Sequence, residues 1–258
     1  SMYPILFSIY KITVHSYYVL WTVALVTASL WTQKRAVNQY GVASSKMHVL
    51  LFVVAIGIVI GACVGMIVHV GPTVIRNDPL RVFRFWEGGM SSFYSFFGGS
   101  FFALAYIFFF KLSLWRVAES ASLPSAALIA IGRWGCFMNG CCAGIETTLP
   151  WGTRFPIDPQ QLTRHPTQLY YSFGALLILI MLQEVEKRIG RGERKLRVAL
   201  LWPLFLILFG LLRILVDPLR IDWLLLGEEA SHRGSLIMIL VGSIWLVISY
   251  INFRRLSD

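Results

Sequence analysis

The chain has 258 residues, of which 57% are hydrophobic and 14% charged, and its mean hydropathy is +0.67. Soluble domains run about 45–50% apolar and about 25% charged, so these figures exclude a water-soluble globule, a disordered chain, a coiled coil and a small disulfide scaffold. The net charge of +10 does not mark a nucleic-acid surface, because the basic residues sit in short clusters between apolar runs, as in loops facing cytoplasm and anionic lipid. What remains is an integral membrane protein.

In chain order, Ser1 and Met2 are expected to be a tag remnant and a start methionine, and the absence of a basic n-region and a small-x-small site predicts no removable signal peptide. Residues 3–15 are apolar but too short to span, which predicts an interfacial segment. Seven stretches then approach the roughly 20 apolar residues a helical span needs: 17–33, 47–70, 91–112, 116–138, 166–186, 198–216 and 234–253. The first and fourth are diluted by Ser, Thr and Ala. With no internal repeat and no low-complexity linker, the chain is expected to form one all-α polytopic domain over residues 3–256.

Lys and Arg set the orientation. One set of alternate loops and the C-terminus hold thirteen of them (Lys34, Arg35, Lys46, Lys111, Arg116, Lys187, Arg188, Arg191, Arg194, Lys195, Arg197, Arg254 and Arg255). The opposite side holds eight: Lys11, Arg76, Arg81, Arg84, Arg154, Arg164, Arg220 and Arg233. The positive-inside rule puts the N-terminus outside and the C-terminus inside. Two arginines fall within or at the edge of spans, Arg133 and Arg213. An Arg at the centre of a membrane helix costs about 2.5–3.5 kcal/mol on insertion scales and marks a candidate functional site. Snorkelling, or pairing with Asp217 four residues after Arg213, is the plainer reading.

The densest local pattern is Gly132-Arg133-Trp134-Gly135-Cys136-Phe137-Met138-Asn139-Gly140-Cys141-Cys142-Ala143-Gly144. Four glycines in so short a run are expected to end a membrane helix and let backbone approach a ligand. A guanidinium beside such a break is suited to hold a phosphate bidentately.

This segment resembles the signature of the prolipoprotein diacylglyceryl transferase family, typically Gly-Arg-x-Gly-Asn-Phe-x-Asn-Gly-Glu. Further stretches resemble that family in the same order: Pro4–Ile9 leading to His15-Ser16-Tyr17, Trp86-Glu87-Gly88-Gly89-Met90-Ser91, Arg164-His165-Pro166-Thr167-Gln168-Leu169-Tyr170, and Phe209–Arg213 with Asp217 and Arg220. The resemblance implies transfer of the diacylglyceryl group of phosphatidylglycerol to the lipobox cysteine of a preprolipoprotein, with release of glycerol phosphate at the outer leaflet of a bacterial cytoplasmic membrane. It implies that Arg133 and Arg213 hold the lipid phosphate, that Asn139, Tyr17 and His165 lie in the substrate-binding region, and that Arg220 pairs with Asp217. Glu87 is expected to satisfy backbone amides in its turn.

The chain also departs from the family pattern. The family histidine that would take the thiol proton falls where this chain has Ser92-Phe93-Tyr94-Ser95, the signature Asn is Cys136, and the signature Glu is Cys141. The family's Gly-x-Arg in the second span is Gly61-Ala62-Cys63, and the tyrosine before the sixth-span arginine is Phe209. Candidates for the missing acid–base role are His15, Tyr94 and His165.

Three readings stay open for Cys63, Cys136, Cys141 and Cys142. They are small buried hydrophobes; or a disulfide in an oxidising compartment, Cys136 with Cys141 or Cys142; or a thiol activated by Arg133 as a covalent nucleophile, with Cys141 favoured. A thiolate cluster with His165 has no recognised zinc spacing behind it. The catalytic set is therefore Cys141, Cys136, Tyr94 and His15, with no metal and no cofactor. Phospholipid, a preprolipoprotein and the membrane are the expected partners of a monomer that binds no nucleic acid. The competing function is a divergent paralogue that binds lipid and performs thiol, redox or other lipid-transfer chemistry through its outer-face cysteines.

Overall fold

The computed structural model describes residues 5–9, 12–70, 76, 78, 92–189, 199–221 and 228–255. Seven long helices stand among them: α1 (Ser16–Tyr40), α2 (Ser44–Val70), α3 (Ser92–Phe109), α4 (Leu114–Asn139), α5 (Thr167–Ile189), α6 (Leu201–Val216) and α7 (Glu228–Arg255). Each falls on one of the seven apolar stretches. Five helical segments are long and apolar enough to cross a membrane: Ser44–Val68, Leu114–Asn139, Thr167–Ile189, Leu201–Leu219 and His232–Asn252. A shorter apolar helix covers Tyr94–Phe109. Outward-facing Phe108, Phe109 and Leu215 are 81%, 77% and 72% exposed, a pattern that suits hydrocarbon rather than water.

The expectation of a purely helical chain needs correction. Ile5–Ile9 (β1) and Ile12–His15 (β2) pair as an antiparallel hairpin with an irregularity between Ile5 and Phe7. Branched and aromatic residues in this short run favour extended backbone over helix. A second small pair joins β3 (Thr153–Arg154) to β4 (Thr163–Arg164). Arg35, counted above as a loop cation, lies inside α1 and is 2% exposed.

The chain divides into two compact units, one of Ser1–Arg35 with Ala118–Asp258, the other of Ala36–Val117. In the smaller unit α2 and α3 meet through small residues: a Cβ at Gly57 would stand 2.7 Å from the Gly98 carbonyl oxygen. Lipid-immersed helices associate through such close backbone approach, because burial from lipid supplies little drive.

In the larger unit Leu123, Ala126, Ile178, Leu182, Leu201 and Phe205 form the buried centre between α4, α5 and α6. One end of this bundle is tied by charge. The Glu119 carboxylate accepts the backbone N–H groups of Leu201 (3.1 Å) and Trp202 (2.8 Å), satisfying orphan donors at the start of α6. Beside it, Arg35 pairs with Glu186 at 2.9 Å and donates to the Ser120 carbonyl at 3.1 Å.

Candidate active site

The opposite end of the larger unit gathers most of the residues singled out in the sequence. Helix α4 runs unbroken through Gly132 and Gly135 and ends at Asn139, inside the glycine-rich run expected to end it. Those two glycines serve packing instead: a Cβ at Gly132 would stand 2.9 Å from three ring atoms of Trp21 on α1. The helix ends at Gly140, whose φ of +76° is the left-handed conformation that closes a helix C-terminus at little cost for glycine.

Past that turn the backbone is stitched to two other elements. Gly144 donates its N–H to the His165 carbonyl (2.9 Å), Ile145 to that of Leu219 (2.8 Å), and Ile221 to that of Ala143 (3.2 Å). The short 3₁₀ turn Asp217–Leu219 after α6 is thereby locked to the end of α4 and the start of α5. Residues 153–164 fold over this junction, held by Arg164 to Asp158 at 2.7 and 3.1 Å and to Gln160 at 2.9 Å. The Arg164 guanidinium, aided by the Gln160 and Leu162 amides, holds the Asp158 carboxyl down to about 2.

Two guanidiniums share one carboxylate here, and a third stacks on the tyrosine bonded to it. Arg213 pairs with Asp217 at 3.1 Å and Arg220 with it at 3.7 Å. Arg213 also donates to the Ser235 hydroxyl at 3.2 Å, which ties α6 to α7. The Tyr171 hydroxyl donates to Asp217, and the Arg133 guanidinium lies over the Tyr171 ring, 4.3 Å from its centroid. Among the described residues no carboxylate pairs with Arg133; its contact is a cation–π one, worth about 0.5–2 kcal/mol. A guanidinium held over an aromatic face keeps its N–H fork available to an anion.

The thiols form the neighbouring cluster. Cys136 on the last turns of α4 and Cys141 and Cys142 beyond Gly140 bring their three sulfur atoms within 4.8 Å of one another. None of the four cysteines is in a disulfide, so the expected pairing of Cys136 with Cys141 or Cys142 is not formed; Cys63 belongs to the other unit. Contact with the Cys136 sulfur, then the Cys142 sulfur, then burial push the Cys141 thiol above its ordinary range. Cys142 adopts φ +61°, left-handed backbone that costs a non-glycine residue roughly 1–2 kcal/mol. It is held there by Thr167, whose hydroxyl donates to the Cys142 carbonyl at 2.7 Å, while the Gln168 amide donates to the Cys141 carbonyl at 2.6 Å. Tyr17 stands in the field of all three thiols.

The remaining candidates sort by position. His165 pairs through Nδ1 with the Tyr170 hydroxyl at 3.1 Å, and Trp151 donates its indole N–H to that same oxygen at 2.8 Å. His15 makes an edge contact with Tyr18, centroids 6.0 Å apart. Asn139 closes α4. Tyr94 lies on α3 in the other unit, and Glu87 lies outside the described residues. Sequence reasoning overlooked Tyr171, Trp21 and Glu119, and quoted Thr167 and Gln168 within a motif without giving either a role. Glu119 carried a readable signal, being a carboxylate within an apolar stretch, and Tyr171 directly follows the Arg164–Tyr170 motif.

These features define a helical bundle of membrane type with a cation-rich, thiol-bearing site at one end. Residues 4–248 match the family model of prolipoprotein diacylglyceryl transferase, and the chain belongs to that family. A phosphatidylglycerol–prolipoprotein diacylglyceryl transferase of Wolbachia pipientis is 28% identical over 265 residues, covering 98% of this chain and 97% of the relative. One of Marinomonas is 30% identical over 252 residues, 93% and 90% of the two chains. One of Trichormus variabilis is 33% identical over 190 residues, 70% and 67%.

Proposed function

We propose that this chain transfers the diacylglyceryl group of phosphatidylglycerol to the lipobox cysteine of a preprolipoprotein. It does so as a seven-span monomer of a bacterial cytoplasmic membrane, N-terminus out and C-terminus in, with its site open to the outer leaflet. The observation that carries this reading is the gathering of Arg133, Arg213 and Arg220 around Asp217 and Tyr171, at the end of an apolar bundle where a lipid headgroup can lie with its chains among the helices.

The acceptor sulfur attacks the glycerol carbon esterified to phosphate. A C–S bond forms, the C–O bond breaks, and glycerol phosphate leaves with the bonding electrons while the thiol proton passes to a base. Negative charge grows on the departing phosphate, and Arg133 and Arg213 meet it with fixed donors. Asp217 and Ser235 orient Arg213, and the Tyr171 face orients Arg133. Asn139, Tyr17 and Arg220 border the headgroup. Among the candidate bases, His165 has the best-fixed ring, aligned by Tyr170 and Trp151; His15, Tyr94, Cys136 and Cys141 are the alternatives.

The test incubates the purified chain with phosphatidylglycerol and a synthetic lipobox peptide, and records the masses of both peptide and protein. The expected result is a diacylglyceryl adduct on the peptide that Arg133→Ala and Arg213→Ala abolish. An unmodified peptide from folded protein overturns the reading. Activity indifferent to both arginines but lost in Cys136→Ser or Cys141→Ser would instead support the thiol-based alternative.

A further inference from the structure

The transferase chemistry above uses two arginines and a base for which His165 is the lead candidate, and it does not call for three sulfurs in one cluster. We infer that Cys136, Cys141 and Cys142 form a three-thiolate site for a soft, three-coordinate d¹⁰ cation of the copper(I) class. This inference does not depend on the transferase reading.

Geometry is the first support. Metal–sulfur bonds of about 2.3 Å place the sulfurs of a trigonal site ~4.0 Å apart. The three Sγ atoms already lie within 4.8 Å of one another, so closing on a cation asks for small side-chain rotations only. The donor set is the second. Sulfur-only ligation selects soft cations, and among the described residues no histidine or carboxylate completes a fourth corner of this group. Structural zinc sites take four ligands, so a three-coordinate ion is the better match. His165 spends its Nδ1 on Tyr170 instead.

The surroundings are built to hold such a set. Thr167 and Gln168, both 0% exposed, fix the carbonyls of Cys142 and Cys141, which keeps the left-handed turn at Cys142 in place. The Trp21 indole packs on α4 at Gly132 and Gly135, the latter next to Cys136, and its buried N–H lacks a hydrogen-bond partner. A metal thiolate is a far better acceptor than a thiol, and an N–H donor to ligand sulfur is a usual outer partner of such sites. Arg133, one turn before Cys136 on α4, offsets part of the negative charge the thiolates bring. On binding, three S–metal bonds form and the thiol protons pass to solvent, so no change of oxidation state is involved.

The experiment uses the full chain in detergent, reduced and anaerobic, carrying Cys63→Ser so that only the cluster reports. Copper(I) is delivered from a competing chromogenic chelator, and native mass spectrometry counts bound metal. The expected result is one copper per chain, with maleimide labelling of the remaining thiols suppressed. Cys141→Ser and Cys142→Ser should each weaken retention at least about 100-fold, and Trp21→Phe about tenfold, a range typical of outer partners. Circular dichroism and size exclusion establish that each variant is folded. The inference is overturned if the folded parent chain loses all copper to the chelator, or if uptake persists after all three cysteines are replaced by serine.

Discussion

The two ends of the larger unit treat buried charge in opposite ways. At one end Arg35 has Glu186, and Glu119 has the first amides of α6. Each charge there meets its complement within the protein. At the other end Arg213 and Arg220 share Asp217, and the face of Tyr171 gives Arg133 an aromatic ring rather than a carboxylate. The first arrangement supports the bundle whether or not a ligand is bound. The second holds Arg133 over a ring that leaves its N–H fork available to an anion, and that difference marks Arg133 out from the ion-paired residues at the other end.

The comparison breaks most sharply on the arginines. Arg133→Ala and Arg213→Ala should each lower transfer to a lipobox peptide by about 10²–10³-fold, as loss of one fixed donor to developing charge does, with little change in thermal unfolding in detergent for Arg133→Ala and a lower unfolding temperature for Arg213→Ala, which also removes a partner of buried Asp217 and the tie to Ser235. Arg133→Lys, which keeps charge but loses the planar fork, should fall between parent and alanine variant. At the other end the outcome should invert. Arg35→Ala should destabilise the chain by about 3 kcal/mol, because it strands the Glu186 carboxylate, while activity per folded molecule stays near that of the parent; calorimetry and the peptide assay check the two halves.

Glu119→Gln should have a smaller effect, about 1–2 kcal/mol, since the amide oxygen still accepts from the α6 N-terminus without the charge. The smallest effect belongs to the loop over the site. Asp158 is held down to about 2 by Arg164, below its unfolded value of about 3.9. Its contribution is therefore present in full above about pH 4 and lost as pH falls through 2. Limited proteolysis within residues 153–164 should stay flat from pH 7 to 4 and rise toward pH 2, and Asp158→Asn should remove that dependence.

Hydropathy located all seven helices, since each is a long apolar run with polar or glycine-rich flanks. It could not separate helix from hairpin at Ile5–His15, where the run is too short for periodicity to decide. Counting Lys and Arg as loop residues misplaced Arg35, because a cation with a carboxylate partner on another helix can sit inside the bundle. The cation cluster was legible through Arg133, Arg213, Asp217 and Arg220, all marked by position within or beside spans. The thiol cluster was not. Cys-x4-Cys-Cys has no meaning until the chain reverses at Gly140 and Cys142 takes a left-handed turn, and those turns depend on Thr167 and Gln168 from a helix 25 or more residues away.

The Glu119 cap also bears on how a bulky substrate gets in. From Glu119 to Arg133 along α4 is fourteen residues, about 21 Å of helix rise, so the fastened end and the site lie well apart. Helices α4 and α6 are fastened at both places, by that carboxylate at one end and by the Ile145–Leu219 and Ile221–Ala143 backbone bonds at the other, as a ladder is by two rungs. On the proposed transferase reading, a double-chained lipid would then enter beside this pair rather than between its helices.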